Sequence, residues 1–243
     1  FSWCSKLSFD SLDGFIVVEG SYPLLITALH GFGTDMYKHV VKVLRKCLRR
    51  LGYDKLLSVY NELGHFLRYG SAVDLFTWEI AYKVAVSENA WAVLPTLSKV
   101  DFVDGLAMPD YNLNKWYAEK SPFWLFVEDV VRRYGVRVVV DIHGMKNVSK
   151  WPDICISTRG FSSASKQLAE IIANVFRSYK LKTAFDYPFF GGAFIAYFGK
   201  PPQVEALAIE IKRSLRFYKS NIPAIVREAV KAVKKYIEMQ NSL

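Results

Sequence analysis

Val136-Arg137-Val138-Val139-Val140-Asp141-Ile142-His143-Gly144 is the stretch on which the architecture turns. Its unbroken β-branched run suits a central strand covered on both faces. Helix and strand signals alternate outward from it, the pattern of a sheet flanked by helices. Upstream, Phe15–Val18 and Leu24–Leu29 read as strands, with Gly20 and Pro23 marking a turn. Met36–Leu51 reads as an amphipathic helix: Tyr37, Val40, Val41, Leu44, Cys47, Leu48 and Leu51 share one side. Asp74 to Ser87 is expected to be a helix opened by its aspartate. Ala92–Leu94 is a short strand, residues 98–115 are irregular, and Pro122–Tyr134 is a helix.

Downstream, Leu168, Ile171, Ile172, Val175, Phe176 and Tyr179 mark another helix. Ala193–Phe198 and Ala206–Ile211 read as strands, and Pro223 opens a C-terminal helix. The expectation is α/β: three layers, a mostly parallel or mixed central sheet with helices on both faces. Residues 1–243 show no repeat or linker, so one domain is expected.

Composition limits the function classes. With 51% apolar residues the chain is expected to pack a globular core. No apolar run reaches the ~20 residues of a spanning helix, and Phe1–Lys6 lacks the pattern of a secretion signal. A cytoplasmic protein without membrane partners is expected. Cys4, Cys47 and Cys155 form no Cys-x-x-Cys pair, against a disulfide framework or a thiolate zinc site. The net charge of +9 suits an acidic substrate, nucleic acid or simple solubility. No Gly-x-Ser-x-Gly elbow occurs, nor a Gly-x-x-x-x-Gly-Lys loop. In Gly31-Phe32-Gly33, Met36 stands where a dinucleotide loop needs its third glycine.

Four histidines remain, and two occupy similar places. His30 follows a strand and precedes Gly31; His143 follows a strand and precedes Gly144. Ligands in open α/β sheets collect beyond the carboxyl ends of strands. Two imidazoles there, each beside a glycine that leaves room, suit a divalent metal. The plain alternative is two hydrogen-bonded strand-end histidines. His39 and His65 lack that setting. A third ligand would be a carboxylate, from Asp35, Asp74 or Glu79. Asp141 leaves the same strand face as His143 and could orient it from behind. Glu210 interrupts an apolar strand, where an unpaired buried charge is costly; it either meets a polar partner or faces outward.

At these residues the chain resembles the N-formylglutamate amidohydrolase family of zinc-dependent hydrolases. The similarity is a series of short blocks in the family's order. They are Leu29-His30-Gly31; Asp74 to Glu79, of the type Asp-x-x-Thr-x-Glu; and Asp141-Ile142-His143-Gly144-Met145 with Pro152-Asp153-Ile154. Phe190-Gly191-Gly192, Tyr197-Phe198-Gly199-Lys200-Pro201 and Ala206–Ile211 follow. The resemblance implies a zinc-carboxypeptidase-like fold holding one Zn2+ on His30, His143 and an acidic ligand. Asp74 matches the family's aspartate, with Asp35 in reserve. It places Glu210 as general base and implies hydrolysis of an amide in an N-acylated acidic amino acid or related small molecule.

Asn112, Asn114, Lys115, Arg159 and Gly192 are the candidates for binding substrate. Two places depart from the family. Ser-Arg and Asp-Leu-Asn-Arg become Ser98-Lys99 and Asp110-Tyr111-Asn112-Leu113-Asn114-Lys115. Lysine keeps the charge but loses the two-pronged grip on a carboxylate. A carboxypeptidase-like or γ-glutamyl-type amidase is therefore a second reading. A third is a non-enzymatic nucleic-acid binder. It would use Lys38, Lys42, Arg45, Lys46, Arg49 and Arg50 with Lys231, Lys234 and Lys235. Two solvated helix faces account for the same residues.

Overall fold

The computed structural model describes residues 7–8, 14–32, 50, 52, 73–97, 102–103, 106–107, 121–217 and 221–241. Apart from Arg50, the helix expected over 36–51 lies outside them. So do Asp35, His39, His65, Ser98-Lys99 and Asp110–Lys115, which include the candidates Asn112, Asn114 and Lys115.

The strands are β1 (Leu7–Ser8), β2 (Phe15–Val18), β3 (Tyr22–Thr27), β4 (Ala90–Pro95), β5 (Phe102–Val103), β6 (Leu106–Ala107), β7 (Val138–Met145), β8 (Ile154–Ser157), β9 (Thr183–Phe185) and β10 (Glu205–Lys212). β5 and β6 pair with each other; the rest form one sheet in the order β1-β2-β4-β3-β7-β10-β8-β9. β4, β3, β7 and β10 run parallel, while β2 and β8 run against their inner neighbours. The sheet is mixed, and the β-branched run of β7 lies inside it, as its sequence requires.

Alternation along β7 and β10 builds the two faces. Val138, Val140, Ile142, Leu207, Ile209 and Ile211 face one core, shared with Leu24 and Ile26. Helices α1 (Thr77–Glu88), α3 (Lys166–Ser178) and α6 (Ile222–Asn241) close it. Val139, Ala206 and Ala208 face the other, with Leu25 and Val93, under α2 (Pro122–Arg133) and α4 (Ala193–Phe198). The three layers are thus α, β and α. A short α5 (Arg213–Arg216) follows β10. Sequence chemistry sets the helix starts: Ser121 accepts the Trp124 N–H at 3.3 Å with Pro122 behind it. Ser165 accepts the Leu168 N–H at 3.2 Å.

Three expectations need correction. Ala193–Phe198 is a helix, not a strand. Phe194, Ile195 and Phe198 are buried while Ala196 is exposed, the i, i+1, i+4 spacing of a helix. So short an apolar run carries no period by which to tell the two apart. Pro23 lies within β3, where the register shifts between Tyr22 and Leu25, rather than in a turn. The helix near Asp74 begins at Thr77, leaving the aspartate upstream of it.

Part of the basic charge is internally matched. Lys231 pairs with Glu228 at 2.8 Å, and Lys234 with Glu88 at 3.5 Å. Among the described residues, no helix is long and apolar enough to cross a membrane.

Candidate active site

The second sheet face turns polar toward the carboxyl ends of the parallel strands. Val139 gives way to Asp141 and His143 along β7, and Ala206 and Ala208 give way to Glu210 along β10. The parallel register sets Glu210 beside His143 and Ala208 beside Asp141. Side chains of register partners share a face, so two strands bring three ionisable groups together.

His143 lies within β7, whereas His30 stands three residues past the end of β3, in a turn where the Gly31 N–H donates to the Ala28 carbonyl. Their positions on the strands differ, yet their rings meet edge to face with centroids 4.9 Å apart. Asp74 reaches them from the loop before α1. Its N–H donates to the His30 carbonyl at 2.9 Å. Its Oδ2 is 3.2 Å from His143 Nδ1 and 3.8 Å from His30 Nδ1. One ligand atom from each of His30, Asp74 and His143 lies within 4.8 Å of the others.

Asp141, fully buried, organises this cluster from behind. Its Oδ2 accepts the His143 Nε2–H at 2.6 Å, and its Oδ1 accepts the N–H of Leu29, the residue before His30. The acceptor at Nε2 keeps a hydrogen there, while Nδ1, aimed at Asp74 Oδ2, donates to that carboxylate in the charged ring and would offer its lone pair to a cation in the neutral one. Two imidazoles and a carboxylate, one imidazole backed by a second carboxylate, are the donor set that Zn2+ takes in hydrolases. On chemistry and spacing the residues fit such an ion.

The charges hold one another in place. Burial alone would push the His143 pKa down. The charges of Asp141 and Glu210 and the hydrogen bonds to Asp141 and Asp74 outweigh it, leaving the imidazole well above its ordinary value. Burial likewise opposes ionisation of Asp74. The bond to His143, the two imidazole charges and a backbone bond from Gly144 hold its carboxyl below the usual range. For Glu210 burial wins. Only 8% exposed, its pKa rises to about 7 despite the attraction of His143 and Arg216.

The glycines have another role than the expected one. A Cβ on Gly31 would come within 2.6 Å of the Trp78 nitrogen, and one on Gly144 within 2.3 Å of Arg216 Cζ. Protein fills the room they leave: the start of α1 in one case, a buried guanidinium in the other. Glu79, a candidate ligand, is exposed on α1 and stands outside the cluster.

Arg159 and Gly192 are not drawn into the cluster by direct contact. β8 runs against β10, with Ser157 opposite Ala208 and Ile154 opposite Ile211. The chain therefore leaves β8 toward Arg159 at the end away from Glu210. The Arg159 guanidinium donates to the Gly191 carbonyl at 3.2 Å and lies 5.6 Å from the Phe190 ring centre. Gly192 precedes α4 as its cap residue. Sequence reasoning missed Arg216 and the register of Cys155 beside Glu210. For Arg216 the signal was a lone cation between Leu215 and Phe217, just past the Glu210 strand.

Residues 126–216 match the family model described as N-formylglutamate amidohydrolase. Among solved structures, the N-formylglutamate amidohydrolase of Ralstonia eutropha JMP134 is similar, with a TM-score of 0.59 at 15% identity. The match covers 94% of this chain and 99% of that one. A gene product of Agrobacterium tumefaciens matches with a TM-score of 0.56 at 17% identity, over 94% and 97% of the two chains. No curated protein matches significantly. Likeness at such identity speaks for the fold alone. The matched segment contains Asp141, His143 and Glu210, while His30 and Asp74 join them from outside it. Residues 126–216 are thus similar in sequence pattern to the N-formylglutamate amidohydrolases, and the chain as a whole shares the fold of the solved structures it matches.

Proposed function

We propose that this protein is a zinc-dependent amidohydrolase. His30, Asp74 and His143 would hold the ion, Asp141 would orient His143, and Glu210 would serve as general base. The observation that carries the reading is the convergence of the three ligand atoms within 4.8 Å, with Glu210 in register beside His143. A divalent cation there would polarise an amide carbonyl and acidify water.

Glu210 is suited to the proton transfers. In the metal-free protein burial raises its pKa to about 7, and a carboxylate that titrates near neutrality both accepts and returns a proton efficiently. It takes the proton of the attacking water on a carboxylate oxygen and gives it to the departing nitrogen. The amide C–N bond breaks, and a carboxylic acid and an amine are released. Asp141 keeps the His143 hydrogen on Nε2 throughout, so that Nδ1 stays available as a ligand.

The family resemblance makes an N-acylated acidic amino acid, or a related small amide, the proposed substrate. Asn112, Asn114, Lys115, Arg159 and Gly192 are the proposed binding residues, and the positive net charge favours an anionic molecule. The test combines metal analysis of the purified protein with a panel of N-formyl and N-acyl amino acids and γ-glutamyl peptides. Stoichiometric zinc, lost in His30→Ala and His143→Ala, with hydrolysis of an acidic N-acyl substrate, is the expected result. A metal-free protein that remains folded and inactive with added Zn2+ would overturn the reading.

A further inference from the structure

Arg216 is a buried cation, 8% exposed, at the junction of three segments. Its Nε donates to the Ile211 carbonyl at 3.1 Å, one residue past Glu210. Its Nη1 donates to the carbonyl of Leu75, one residue past Asp74. The guanidinium lies where Gly144, one residue past His143, leaves out a side chain. One planar fork thus touches the backbone next to each of Asp74, His143 and Glu210.

The Asp74 loop needs such an anchor. The cap residue of α1, Phe76, has φ 69 and makes no side-chain capping bond. A non-glycine residue there is strained, and the conformation persists only where the surroundings impose it. A buried guanidinium, costly unless its donors are met, offers a rigid two-directional grip that lysine cannot copy.

We propose that Arg216 is a positioning residue: by clamping Leu75 to the end of β10 across Gly144, it fixes the Asp74 carboxylate in the cluster. This rests on the reading of that cluster as a metal site. The experiment measures Zn2+ affinity by competition with a chromophoric chelator, together with the visible spectrum of the Co2+-loaded protein. It uses the full chain and the variants Arg216→Met, Arg216→Lys, Asp74→Asn and Arg216→Met with Asp74→Asn.

Arg216→Met is expected to weaken Zn2+ binding by about tenfold to a hundredfold, the range for lost supporting contacts at metal sites, and to alter the Co2+ bands. Arg216→Lys should fall between it and the native protein. The double variant should bind no more weakly than Asp74→Asn alone, because both changes act through one carboxylate. Native affinity in a cooperatively melting Arg216→Met protein, or losses that add to those of Asp74→Asn, would overturn the clamp alone. Should Arg216→Met not fold, Arg216→Lys decides, and native affinity there overturns the clamp. No uptake of Zn2+ or Co2+ by the native chain would overturn the metal reading, and the clamp with it.

Discussion

The two faces of β7 and β10 are built from the same alternating strands and follow different rules. On one, Val138, Val140, Ile142, Leu207, Ile209 and Ile211 meet apolar side chains of α1, α3 and α6, and the buried carboxylate that shares this face, Glu205 at the start of β10, accepts from the Ser165 N–H and the Tyr236 hydroxyl. On the other, the apolar rows of Val139, Ala206 and Ala208 end in Asp141, His143 and Glu210. Apart from that carboxylate, the first face depends on volume, since dispersion and burial are indifferent to which methyl supplies them. The second depends on identity, because each buried charge is tolerable only while its partner is present. One strand can therefore stabilise the fold on one side and place chemistry on the other.

The sharpest way to break this contrast is Glu210→Gln, nearly isosteric and uncharged. Turnover should fall by about 10²- to 10⁴-fold, the usual worth of a positioned proton acceptor, while zinc content measured by atomic emission stays at the native level. Ile142→Ala, one position from both Asp141 and His143 but on the opposite face, should do the reverse. It should cost about 2–5 kcal/mol in denaturant unfolding and leave the metal stoichiometry unchanged.

The pH response separates the faces further. The Glu210 pKa lies near 7 in the fold, above its ordinary value of 4.5. Its contribution to stability is therefore full at low pH and is lost as pH rises from about 4.5 to about 7. For the metal-free protein that loss is on the order of 3 kcal/mol. The difference in melting temperature between the native protein and Glu210→Gln should change across that window in Glu210→Gln's favour as pH rises. A difference independent of pH would mean that Glu210 does not titrate there. Asp141→Asn should show the smallest effect of the set. It is expected to lower zinc affinity by about tenfold to a hundredfold, read by chelator competition, with the cooperative melt retained.

Much of the fold was legible because the patterns were long. The run from Val136 to Ile142 identified its own central strand, and the periodic stretches at Pro122, Leu168 and Pro223 gave helices near the observed bounds. Short elements were not legible. Ala193–Phe198 is apolar at every place and offers no contrast, so its helix follows from the surface of α2 against which it packs. β8 and β9 are too brief to show a period, and the antiparallel course of β8 follows from its pairing with β10.

The candidate site divides in the same way. His30, Asp74, Asp141, His143 and Glu210 were each readable from residue type and place, because polar side chains interrupting strands and strand ends carry a physical cost that demands a reason. Sequence also offered Glu79 on equal terms with Asp74 until the resemblance separated them; the fold leaves Glu79 exposed on α1. Sequence alone determined the alternation, the central strand and the set of groups available for chemistry, since these depend on covalent order and local period. Tertiary structure decided which of those groups meet, what fills the space beside Gly31 and Gly144, and that Arg216 stands among them. Those outcomes depend on sheet register and on packing between residues as far apart as 74 and 216, a separation no local pattern records.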